Sequence, residues 1–163
     1  MQRFTNVGTG KWALDITCPA MTLAMAEALV GGLLRAQREE VTLPWPQPGR
    51  IIGAPGARTI GAASSSNATV LDVAGGAAYP ARALQFFNVV GPDGRLYLHS
   101  TTQANQLPGS IAIAPALRIA GASGLALDFA TPKIQGFVVG KETAWTVDTA
   151  RHYGVAFTVM ERK

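Results

Sequence analysis

A single cysteine, Cys18, leaves no partner for an internal disulfide and no Cys-x-x-Cys pair for a metal. It falls on the apolar side of an alternating stretch, which predicts a buried, inert thiol. Histidine is scarce as well: His99 and His152 are the whole supply. A zinc site needs about four Cys, His or carboxylate ligands, and no His-x-x-x-His spacing occurs, so no metal and no cofactor are expected. Both histidines fall at strand ends or turns, where a structural role is the simpler expectation. Charge is thin too, with charged residues at 15% of the chain against about 25% in ordinary globular proteins. A surface short of charge fits a subunit that buries itself against partners, or a compact alanine-rich monomer.

Fourteen basic and ten acidic residues give a net charge of +4. The basic residues are scattered, and only Arg162 and Lys163 are adjacent. Nucleic-acid binding needs clustered cations and stacking aromatics, so no nucleic-acid partner is expected. The longest apolar helical run, Leu23 to Leu34, is broken by Glu27 and is too short to cross a bilayer, so no membrane partner is expected. The first ten residues lack a signal-peptide core, which predicts a soluble protein made in the cytoplasm.

Catalytic motifs are missing. Gly121-Ala-Ser123-Gly124 lacks the spacing of a nucleophile elbow. Gly53, Gly56 and Gly61 are not followed by Gly-Lys-Ser/Thr, so a phosphate cradle is not expected. The ten acids are too dispersed to nominate a glycosidase pair. These residues predict no enzyme.

What is present is β-pattern. Trp12, Leu14, Ile16 and Cys18 alternate with polar or small residues, predicting a strand with one wet face. A helix is expected over residues 22–39, capped by Thr22, with Leu23, Ala26, Val30, Leu33 and Leu34 on one face. Gly31 and Gly32 inside it cost about 1 kcal/mol each relative to alanine, which close packing on the sheet or on another subunit would explain. Val41, Leu43 and Trp45 alternate again. Val155, Phe157 and Val159 close the chain in the style of the first strand, so both are placed in one antiparallel sheet. The strand at Leu125, Leu127 and Phe129 is assigned to the same last third.

Between them the texture changes. Pro44, Pro46 and Pro48 stiffen the exit, and short strands follow with frequent turns. Gly91-Pro92-Asp93-Gly94 is a hairpin connection. The fold class is therefore mainly β (α+β): an antiparallel β-sandwich with one packed α-helix and an inserted small β-barrel or sandwich domain. The boundaries are set at 1–48 with 119–163 for the first unit and 49–118 for the insert. Residues 1–10 are expected to be a tail or an arm that orders on a neighbour.

These features together resemble the distal tail proteins of long-tailed bacteriophages. The resemblance rests on Lys11-Trp12-Ala-Leu-Asp-Ile-Thr17 leading into a helix that ends Leu33-Leu34-Arg35. It continues through Val41-Thr-Leu-Pro-Trp-Pro46, the Gly/Ala-rich 53–63 stretch, Pro115-Ala-Leu-Arg118 and Pro132-Lys-Ile-Gln-Gly-Phe-Val138. It closes on Tyr153-Gly-Val-Ala-Phe-Thr-Val-Met-Glu161. The family implies a virion structural protein assembled in the host cytoplasm. Six copies would form a ring joining tail tube to hub, tip or fibres, with no catalytic residues. A tube or terminator subunit is the alternative within that class. A second class is a carbohydrate-binding module that touches a host glycan through Trp45, Tyr79 and Tyr97, which requires exposed rings. A third, a small hydrolase, requires a polarised histidine or a carboxylate pair in a cleft.

Overall fold

The computed structural model of the chain describes residues 2–7, 10–147 and 153–162. It is mainly β with one helix, and its paired strands run antiparallel. The chain divides into two compact units, Met1–Thr42 with Ile134–Lys163, and Leu43–Lys133.

The first unit holds β1 (Gln2–Val7), β2 (Lys11–Thr17), α1 (Leu23–Ala36), the start of β3 (Val41–Pro44), most of β12 (Lys133–Val147) and β13 (Tyr153–Glu161). They form a five-stranded sheet in the order β1-β2-β13-β12-β3. The alternation seen in the sequence becomes register: Leu14 faces Val159, Ile16 faces Phe157, and Val138 faces Val159 from the other side. Opposed residues share a face, so Leu14, Val138 and Val159 are buried together. The other face carries Asp15 and Thr158, whose hydroxyl donates to the Asp15 carboxylate at 2.6 Å. Glu161 is buried at the strand end and accepts the Trp12 backbone N–H at 3.1 Å.

The start of the chain differs from expectation. Residues 2–7 are not a tail but an edge strand, running from Gln2 opposite Ile16 to Val7 opposite Lys11. Gly10, at φ 74, supplies the left-handed turn residue that brings β1 back along β2. Cys18 is half-buried rather than enclosed, and its N–H donates to Val155 O at 2.8 Å.

α1 packs on β13 through Ala26, Leu33 and Ala36. Thr22 occupies the N-cap position in extended backbone, without a side-chain capping bond. The helix is shorter than 22–39 because Gln37 to Glu39 close it as a turn, with Arg38 and Glu39 N–H groups on Arg35 O. Gly31 and Gly32 do not approach the sheet: a Cβ built at either meets nothing within 4 Å. With no contact to lose, Gly32→Ala is expected to raise the stability of this unit by about 1 kcal/mol. Urea denaturation followed by far-UV circular dichroism checks it.

The second unit is a closed six-stranded barrel, β10-β5-β4-β11-β7-β8. Its strands are β4 (Arg58–Ile60), β5 (Val70–Ala74), β7 (Phe86–Val90), β8 (Leu96–Thr101), β10 (Gly109–Ala114) and β11 (Ala126–Asp128). A two-stranded ribbon, β6 (Tyr79–Ala81) with β9 (Asn105–Leu107), accompanies it. Closure leaves these short strands without open edges. The interior is filled by Ile60, Leu71, Val73, Phe87, Ile111 and Phe129 among others. Phe87 and Phe129 stack with ring centroids 4.5 Å apart.

The turn chemistry read from the sequence holds. β7 and β8 pair from Val90 opposite Leu96, and Gly91 N–H donates to Arg95 O at 2.8 Å across the Gly91–Gly94 connection. β7 starts at Phe86 because Leu84 sits at φ 56, a conformation outside the strand region. The insert is larger than 49–118. β11 pairs with both β4 and β7, so Leu127 and Phe129 belong to the barrel core and not to the first sheet. Residues 43–48 join it as well: Trp45 is 3% exposed and packs on Phe86 at 5.0 Å. Its N–H donates to Pro132 O at 2.8 Å, which ties the strand entering the barrel to the strand leaving it.

Candidate functional site

The hydrolase reading requires a polarised histidine or a carboxylate pair in a cleft. His99 is fully buried in the barrel, and its Nδ1 lies 2.9 Å from Pro115 O. His152 lies outside the described residues. The near-elbow at Gly121–Gly124 is a structural turn: Ser64 and Gly121 exchange backbone hydrogen bonds at 2.8 and 2.9 Å, and the Ser123 hydroxyl donates to Gly61 O. Among the described residues no group of three or more His, Cys, Asp or Glu side chains could hold a metal ion.

The three aromatic candidates for glycan contact are buried, and each serves the barrel. Trp45 packs on Phe86. The Tyr79 hydroxyl donates to Ile52 O at 2.7 Å and accepts from Gln85 Nε2 at 2.6 Å, with the Arg58 guanidinium over its ring. Tyr97 has Arg95 and Arg118 guanidinium carbons 5.5 and 5.4 Å from its ring centroid. At 8% exposure or less, none offers a ring face for a sugar to stack on.

Two concave surfaces stand out among the described residues. One, of about 430 Å³, lies in the barrel unit beside Trp45, Thr131, Pro132 and Lys133. Its polar groups are already engaged in part: Gln47 Oε1 accepts the Phe86 N–H, and the Thr131 hydroxyl donates to Asp128. The other is an apolar groove of about 420 Å³ along α1, walled by Leu23, Ala26, Val30, Gly31, Leu34 and Tyr153, with Glu27 also lining it.

This helix surface is the feature that pattern reading missed. Leu23 and Leu34 were assigned to the inward face, yet they are 50% and 55% exposed, and Met25 is 62% exposed. Leu23–Ala36 carries only Glu27 and Arg35 as charges, so it is apolar nearly all round. A single sheet covers one side of such a helix, and the other side is left in water. Leu23 and Leu34 lie on the same side of α1 and wall the groove with Val30, whereas Met25 is exposed on another flank. Burying each large apolar side chain is worth about 1.5–3 kcal/mol, so the groove side marks an interaction surface. The missing half of a polar face was the signal in the sequence.

No protein-family model matches this chain, and no curated protein sequence matches it.

Proposed function

We propose that this chain is a structural subunit of a phage tail tip, related to distal tail proteins, which assembles with five copies of itself into a ring between tail tube and hub. The observation that carries the proposal is the solvent-facing apolar groove along α1, with Leu23 and Leu34 on the same side and half or more exposed. Isolated exposed leucines are ordinary, but an apolar groove with Leu23 and Leu34 at its two ends and Val30 between them is suited to a packed interface. The low charge content points the same way. So do the sequence features shared with the tail-tip family, which span most of the chain. A head-to-tail ring needs two different patches that meet with a closing rotation, and the α1 surface serves as one of them. Assembly would take place in the host cytoplasm and the product would be a virion component. Burial of Trp45, Tyr79 and Tyr97 weighs against the host-glycan reading.

The test is size-exclusion chromatography with light scattering, followed by electron microscopy. The 17.0 kDa chain is expected to run as a closed ring of six. Leu23→Glu with Leu34→Glu is expected to leave circular dichroism unchanged and reduce the ring to monomer. A wild-type chain that stays monomeric at high concentration, or a double variant that assembles equally well, overturns the proposal.

A further inference from the structure

We propose that the barrel carries a proton-operated latch: His99 on β8 holds the 115–118 segment shut while its ring is neutral and releases it on protonation. The segment follows β10 and belongs to no strand. Hydrogen bonds to β8 and to Asn67 and Ala68 tie it down. Pro115 O accepts from His99 Nδ1 at 2.9 Å, and Arg118 Nη2 donates to Leu98 O at 3.3 Å. Leu117 N–H donates to Ala68 O at 2.8 Å, and Leu117 O accepts from Asn67 N–H at 2.6 Å. Leu117 itself is fully buried in the barrel core.

A carbonyl only accepts, so Nδ1 carries the proton of the neutral ring and Nε2 presents a lone pair. Nε2 is buried and has no hydrogen-bond partner among the described residues. A second proton would therefore sit on an atom with no acceptor. The surroundings make this worse: Phe87 stands opposite His99 across β7, with ring centroids 6.0 Å apart. Among the described residues the charged group acting on His99 is the Arg118 guanidinium, of the same sign. Neither Phe87 nor Pro115 carries a charge to offset it.

Burial, opposed by the Pro115 hydrogen bond and reinforced by Arg118, lowers the His99 pKa from 6.5 to about 4. A histidine released into water regains its ordinary value. Above pH 6.5 both closed and open forms are neutral and the latch is at full strength. As pH falls from 6.5 toward 4, the open form takes up a proton that the closed form refuses, and closure weakens. The barrel strands are held by ladder bonds on both sides, whereas the 115–118 segment is held by the bonds named above, by Arg118 over the Tyr97 ring and by the buried Leu117. Local opening is expected there, beside the new charge.

Hydrogen exchange on the full chain tests this. Protection factors at Asn67 and Leu117, corrected for intrinsic exchange, are expected to fall about 100-fold between pH 7 and pH 4 in the wild type. In His99→Gln, whose amide can still donate to Pro115 O but cannot take a proton, they are expected to change by less than about threefold. Equal falls in both proteins, or no fall in the wild type, overturn the latch. Should His99→Gln not fold, an NMR titration of the wild-type imidazole decides: no protonation of the folded ring above pH 5 supports the latch, and a midpoint near 6.5 overturns it.

Discussion

Gly136→Ala is expected to unfold the sheet unit while the barrel keeps its structure. Gly136 on β12 lies opposite Glu161 on β13. A Cβ at this position would land on the Met160 carbonyl oxygen, 2.7 Å from the Met160 carbonyl carbon and 2.9 Å from Glu161 Cα. These are backbone atoms of the paired strand, not the movable end of a side chain. The added methyl can be housed only by separating the two strands. That separation would break the pairing from Gly136 to Val139, which holds Val138 against Val159 in the core. Overpacking of an ordinary core site costs about 1–3 kcal/mol, and this site lacks the side-chain freedom that keeps the figure low. Hydrogen exchange resolved by segment is the measurement. Amides of Leu14 and Val159 should lose protection, and those of Val89 and Leu98 should retain it. A variant with wild-type protection at Val159 would show that β12 and β13 can part without loss.

Phe87→Ala is expected to produce the opposite pattern. Phe87 is fully buried, stacks on Phe129 at an interplanar angle of 9°, and lies beside the His99 ring. Truncation removes the ring and leaves a cavity that a closed barrel cannot collapse to fill, because its wall is fixed by hydrogen bonds on all sides. Such Phe→Ala changes cost about 3–5 kcal/mol. For a unit of this size each kcal/mol lowers Tm by about 4–8 °C, so the barrel transition should drop by at least about 12 °C. Differential scanning calorimetry reads it directly. A drop under about 4 °C would mean that the barrel wall relaxes around the hole, contrary to its closed ladder.

The sequence was readable where period and burial coincide. Trp12, Leu14 and Ile16, with Val155, Phe157 and Val159, announced two half-wet strands, and the register pairs them as neighbours. The Gly91–Gly94 hairpin was legible because its turn residues leave few alternatives. The mainly-β class with one helix and an inserted barrel followed from those signals. Alternation says which side of a strand is wet but not which sheet the strand joins. Leu125, Leu127 and Phe129 would look the same in either unit, and only the pairing of β11 with β4 and β7 decides. β1 was invisible because Gln2, Arg3, Thr5 and Asn6 carry no apolar rhythm, and its pairing depends on the turn before Lys11. For the candidate site the limit was exposure. Aromatic residues in Trp45, Tyr79 and Tyr97 fit a platform or a core equally until burial is measured. Leu23, Met25 and Leu34 fit a core helix until one side proves to be uncovered.

The hydrogen bond between Trp45 N–H and Pro132 O has an evolutionary corollary. A strand that enters a module beside the one that leaves it makes that module a cassette. The barrel residues between β3 and β12 can be lengthened or exchanged for a different β-domain while β3 remains beside β12. Substitutions within the cassette can therefore be tuned apart from those within the helix-backed sheet.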